Sequence, residues 1–176
     1  PRALLGYRSN IPSQLNQRQM EQRINVYEKG LAAMRAIYGL GLYTNKSSIE
    51  KKLADLVFFR ISQINGCAYC LDADAGNLLQ NGESQQRLFV LNAWRQSSLY
   101  SARERAALAW AEAVTNVTDG HVPDDVYEEA RAQFSEEELI DLTVAVLTIN
   151  CYNRVNIAFR ISGGAHQPAA LEAKAK

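Results

Sequence analysis

Apolar positions recur at three- and four-residue intervals along most of the chain, the period of an α-helix rather than of a strand. Ile24, Tyr27, Leu31, Met34 and Tyr38 make one such stripe. It predicts a helix from Asn16 to about Leu40, ended by Gly39-Leu40-Gly41, because glycine readily takes a left-handed C-terminal conformation. Ser47-Ser48-Ile49-Glu50 predicts the next start, with Ser47 and Glu50 as a capping box. That helix would bury Leu53, Leu56, Val57, Ile61 and Ile64 and break at Asn65-Gly66. A third is predicted from Cys67 to about Gln80, stopped by Asn81-Gly82. A fourth covers 84–96, with Leu88, Leu91 and Trp94 as anchors. Leu88-Phe89-Val90-Leu91 alone has strand composition, but it lies between helical neighbours. Ser101 and Glu104 form a second capping box, opening a helix to about Val117. Pro123 suits the first turn of a short helix through Phe134. Ser135 and Glu138 open a long helix with Leu139, Leu142, Val146 and Ile149 inward, ending near Gly163-Gly164.

The expected fold is therefore all-α: a single-domain helical bundle of about seven helices over residues 1–165. An Ala- and Lys-rich tail at 166–176 is expected to fray. Hydrophobic residues are 47% and charged residues 22%, a globular composition. Nineteen basic residues balance nineteen acidic ones, so no nucleic-acid partner and no anionic membrane surface is indicated. No apolar run approaches the roughly 18 residues of a membrane span. The stretch Pro1 to Tyr7 lacks the apolar core of a signal peptide. These readings place the protein in the cytoplasm.

Candidate chemistry centres on the cysteines, of which there are three. Cys67 and Cys70 form a C-x-x-C, which in a reducing compartment points to redox chemistry or a metal. Two cysteines three apart on a helix share a face, within reach of a short disulfide. A helix N-terminus offers unpaired amides and partial positive charge, and both favour thiolate over thiol. Zinc would need further ligands, and Cys151, His121 and His166 lack ligand spacing. No metal, flavin or nucleotide motif is visible, so no cofactor is expected. The alternative is a pair of inert core cysteines. Gln63, Asn65, Asn153 and Arg154 either line a pocket or satisfy buried backbone.

The run Ser62-Gln63-Ile64-Asn65-Gly66-Cys67-x-x-Cys70 resembles the signature of the alkylhydroperoxidase D-like family, also called the carboxymuconolactone decarboxylase superfamily. Leu108-Ala109-Trp110-Ala111-Glu112-Ala113, Phe134-Ser135-Glu136-Glu137-Glu138-Leu139, and Asn153-Arg154 with Ala158-Phe159-Arg160 continue the likeness. The resemblance implies an all-helical subunit assembled as a homo-trimer or homo-hexamer. It also implies a thiol-dependent peroxidase or disulfide reductase, taking a hydroperoxide or a partner disulfide as substrate and an external dithiol as reductant. In that family an upstream carboxylate and a histidine after the pair relay a proton from the second cysteine, which attacks, and the first closes the disulfide.

Here the carboxylate position is Asp55 and the histidine position is Asp74. An aspartate near its usual pKa of about 3.9 would be ionised at neutral pH, shuttle protons poorly and oppose a Cys70 thiolate. Asp74→His is therefore expected to raise turnover. The helix-terminus argument favours Cys67 as the more acidic thiol, whereas the resemblance makes Cys70 the attacker. Tyr69, Gln63 and Asn153 are expected around the substrate. Two other readings stay open: a carboxymuconolactone-type decarboxylase, for which a dithiol has no use, and a non-catalytic redox-sensing helical oligomer.

Overall fold

The structure, a computed structural model, describes residues 21–163. The expected helix start at Asn16 and the tail 166–176 lie outside them. The described residues form eight α-helices and one 3-10 segment, with no strand among them. In chain order these are α1 (Val26–Lys29), α2 (Leu31–Thr44), α3 (Lys51–Asn65), α4 (Ala68–Gln80), α5 (Gln85–Val90), a 3-10 segment (Leu91–Gln96), α6 (Ala102–Thr115), α7 (Asp124–Arg131) and α8 (Glu136–Ala158).

α3 is the hub, packed by α4, α6 and α8. Leu53, Leu56, Val57 and Ile61 are buried as the periodicity predicts, while Ile64 is half-buried. Leu53, Val57 and Ile61 join Leu142, Val146, Ile149 and both Cys67 and Cys70 in one core. A second cluster gathers Leu56, Leu78, Leu88, Leu91, Trp94 and Leu108. At Gly66, φ is 69°, a left-handed turn that lets α4 fold back on α3.

Several predicted boundaries move, each for a local reason. The first predicted helix breaks at Gly30, so Ile24 and Leu31 are exposed while Met34 is buried. α2 then continues through Gly39-Leu40-Gly41 to Thr44. Gly41 serves packing rather than termination, because a Cβ there would lie 2.7 Å from the Tyr152 hydroxyl. The Ser47–Glu50 capping box does not form. Ser47 Oγ donates back to Thr44 O (2.8 Å), and the Glu50 carboxylate binds Arg103 (3.0 Å). Residues 84–96 form an α-helix that gives way to the 3-10 segment, with a kink at Ala93. Pro123 is the N-cap of α7 rather than its first residue.

The boxes at Ser101–Glu104 and Ser135–Glu138 are both present. α8 stops at Ala158, short of Gly163-Gly164, because Arg160 turns left-handed (φ 54°) and Ile161 N donates to Asn156 O. Arg23 covers this end, its guanidinium donating to Ala158 O (3.0 Å). Gly163 then rests on the cysteine turn: a Cβ there would lie 2.6 Å from Ala68 O. Among the described residues no helix is long and apolar enough to cross a membrane.

Losing a cap that is made should cost about 1 kcal/mol. Ser101→Ala and Ser135→Ala are therefore expected each to lower unfolding stability by about that amount in urea titrations, monitored by circular dichroism. Ser47→Ala, which opens no helix here, should cost less than either.

Candidate functional site

Cys67 is the N-cap of α4, and its sulfur accepts from Cys70 N at 3.3 Å. The two cysteines are joined as a disulfide, with their Cα atoms 5.3 Å apart. Both are buried, at 1% and 4% exposure, so neither is singled out by access. What differs is the second donor. Asn156 of α8 extends Nδ2 to 3.2 Å from Cys70 Sγ, a bond that would favour negative charge on that sulfur. Cys151, half-buried on α8, is free.

Asp74 lies one helical turn beyond Cys70. Its carboxylate accepts from Ser62 Oγ at 3.2 Å, across the α3–α4 contact. Burial is the main influence on its acidity and raises the pKa; the Ser62 hydrogen bond lowers it, the Asp55 charge raises it and Lys51 lowers it. The outcome is a carboxyl pushed up to about 7. This corrects the sequence expectation of an ordinary, ionised aspartate. The carboxyl titrates near neutrality because the α3–α4 interface removes water from it.

Asp55 sits on α3 with its side chain 17% exposed. Lys51 Nζ reaches both its oxygens, at 2.9 and 2.8 Å. Asp55 also lines a cleft of about 220 Å³ with Lys52, Leu78 and Arg87. It is thus both a charge felt by Asp74 and a group at the molecular surface.

The other expected site residues divide. Asn153 is fully buried and donates from Nδ2 to Ser62 Oγ (3.1 Å), so it belongs to the network beneath the cysteines. Tyr69 is half-buried against Tyr27, with which its phenol interacts. Burial raises the Tyr69 phenol pKa, and pushes Tyr27 and Tyr152 up to about 12, so these hydroxyls keep their protons at neutral pH. Gln63 is placed elsewhere. It accepts from Arg60 Nη1 (3.2 Å), in a cluster where Glu112 takes Arg60 Nε (2.7 Å) and Trp94 Nε1 (2.8 Å).

Sequence reasoning missed Ser62, Asn150 and Asn156. A signal existed: Asn150, Asn153 and Asn156 recur at three-residue spacing on one face of an otherwise apolar helix, and all three are buried. Buried amides need partners, so such a row marks a polar counterpart on a neighbouring element.

Because the folded Asp74 binds its proton more tightly than the unfolded chain, its contribution to stability is greatest below about pH 4. It falls as pH rises to about 7 and is constant above. Asp74→Asn keeps an oxygen to accept from Ser62 and cannot ionise. Its stability advantage over the native protein should grow by roughly 2–4 kcal/mol between pH 4 and pH 8 in denaturant titrations. A constant difference across that range would show that Asp74 titrates normally.

Comparison with known proteins agrees with this geometry. The carboxymuconolactone decarboxylase family model matches residues 29–113. An uncharacterized protein of Bacillus subtilis, YdfG, is 37% identical over 139 residues, covering 79% of this chain and 95% of that one. A crystal structure from Agrobacterium tumefaciens, of a protein of unknown function described as a candidate AhpD antioxidant defence protein, superposes with a TM-score of 0.80. It is 36% identical and covers 83% of this chain and 100% of that one. An uncharacterized peroxidase-related protein from Silicibacter sp. TM1040 shares the fold, with a TM-score of 0.67 and 22% identity over 93% of this chain and 91% of that one. The cysteine turn, the helices that carry it and these relatives together show that the chain belongs to the carboxymuconolactone decarboxylase family, with the AhpD-like fold.

Proposed function

We propose that this protein is an alkylhydroperoxidase-type oxidoreductase that reduces hydroperoxides through a Cys67–Cys70 dithiol/disulfide cycle. The observation that carries the proposal is the disulfide across the first turn of α4, with Asp74 one turn beyond and titrating at about 7. A carboxyl with that pKa takes and returns protons at neutral pH, the condition for general acid–base work.

In the forward cycle, Asp74 accepts the Cys70 proton, and the Asn156 amide stabilises the resulting thiolate. The thiolate attacks one peroxide oxygen, the O–O bond breaks, and the leaving alkoxide takes a proton to give the alcohol. Cys70 is then a sulfenic acid. The Cys67 sulfur, held at the helix N-cap, attacks Cys70, forming the S–S bond and releasing water. An external dithiol supplies two electrons and two protons to restore the pair. A partner protein's disulfide is a second substrate class for the same dithiol. Protonation removes the charge that an ionised Asp74 would set against Cys70. Asp55, at the surface cleft, is the relay's outer carboxylate.

The reading includes a homo-trimer or homo-hexamer. α8 leaves Ile140 and Leu147 largely exposed on its outer face, at 63% and 50%, which is apolar surface available to a second copy. The dependence on a dithiol donor suits the reducing cytoplasm.

Hydroperoxide consumption with excess dithiol tests the cycle. Cys70→Ser and Cys67→Ser should each lose turnover by at least about 100-fold, and Asp74→Asn by roughly 10- to 100-fold at pH 7. Asp74→His should stay within about threefold of the native rate, since both residues titrate near neutrality. Undiminished turnover in Cys70→Ser would sink the proposal. Light scattering at micromolar concentration should give a mass three or six times that of the chain; a monomer would remove the assembly from the reading.

A further inference from the structure

Beneath the cysteine turn lies a chain of buried and half-buried amides whose hydrogen-bond direction is forced from its ends. Asn150 Nδ2 donates to the Val146 carbonyl (3.0 Å), which can only accept. Asn150 Oδ1 must therefore face the other way, and Arg154 Nη1, which can only donate, bonds to that same oxygen. Two independent anchors thus fix one amide.

The consequence passes inward. Asn65 Nδ2 donates to Asn150 Oδ1 (3.0 Å) and also to Asn153 Oδ1 (2.8 Å). With its oxygen so occupied, Asn153 presents Nδ2 to Ser62 Oγ (3.1 Å). Ser62 has one proton. Since its oxygen is already accepting, that proton goes to Asp74 Oδ2 (3.2 Å). Ser62 and Asn153 are both fully buried, so no solvent competes for these bonds.

We propose that this one-way asparagine chain commits Ser62 to donate to Asp74, making Ser62 the positioning residue of the site's carboxyl. A fixed donor has two effects. It holds one carboxylate oxygen toward α3 and leaves the other to exchange a proton. It also favours the ionised form, opposing the burial and the Asp55 charge that push the carboxyl up. The charged groups acting on Asp74 are Asp55 and Lys51, both from α3, and Ser62 lies on that same helix. Without the donated bond, Asp74 would stay protonated past neutrality and stop accepting the Cys70 proton there. The assignment of a use for that proton rests on the peroxidase reading; the bond and its direction do not.

The test is infrared titration of the full-length oxidised protein, following the protonated-carboxyl band that Asp74→Asn removes. Ser62→Ala should move its midpoint up by about one pH unit, the effect of losing a hydrogen bond to a charged group. Asn65→Ala frees Asn153 to turn its oxygen toward Ser62 and share the hydroxyl proton. The midpoint should rise there too, by about half as much. That variant carries the test if Ser62→Ala does not fold. Unmoved midpoints in the folded variants would overturn the proposal. The titration uses no peroxide, so a protein without peroxidase activity would still show the shift if the chain acts as described. In an active protein, the acid limb of the rate–pH profile should move with the infrared midpoint in both variants, a displacement that mere loss of packing would not produce.

Discussion

Three asparagines point inward from α8, and the structure around the cysteines is arranged to satisfy them. A buried amide without a partner costs about 1–3 kcal/mol, so Asn150, Asn153 and Asn156 tolerate only a register in which each meets a polar group. Asn65 and Ser62 on α3 and the sulfur of Cys70 on α4 supply those groups. Apolar contacts among Val57, Ile61, Leu142 and Val146 would hold α3 against α8, but contacts of that kind slide. The asparagine row does not slide. It pins the turn between α3 and α4, and with it the positions of Cys67, Cys70 and Asp74.

The same contact sets the electrostatics. Packing α4 on α3 takes water away from Asp74, and its carboxyl is pushed up to about 7. Opposing influences meet there: burial and the Asp55 charge favour the proton, and Ser62 and Lys51 favour the anion. The protonation state of the residue at neutral pH depends on that balance rather than on its side-chain type alone. An aspartate in water and a histidine in water differ by about 2.6 pH units, and the interface closes that gap.

Much of the architecture was legible in the chain. Helical periodicity located the long helices, and the boxes at Ser101 and Ser135 marked two starts correctly because Glu104 and Glu138, though each also binds an arginine, keep one oxygen on the cap backbone. The box at Ser47 failed because Arg103 takes both oxygens of Glu50, and Ser47 closes α2 instead. Gly39 and Gly41 read as a stop because glycine's conformational freedom is a local signal. The role of Gly41 here is set by the approach of Tyr152 from a distant helix.

By itself the sequence determined the helical class and the cysteine pair at a helix start, since spacing along a helix is local geometry; Asp55 and Asp74 came into view only through the family resemblance. Tertiary structure alone decided how Asp74 titrates, that Gln63 turns to Arg60 rather than to the cysteines, and that Ser62 and Asn156 belong to the site. Each of these depends on a partner 12 to 91 residues away or on water excluded by a neighbouring helix; Gln63 meets Arg60 on its own turn, but Glu112, 52 residues on, holds Arg60 there. Hydrogen-bond direction is the extreme case. Ser62 donates to Asp74 because Val146 and Arg154, at the far end of four linked side chains, leave no other arrangement.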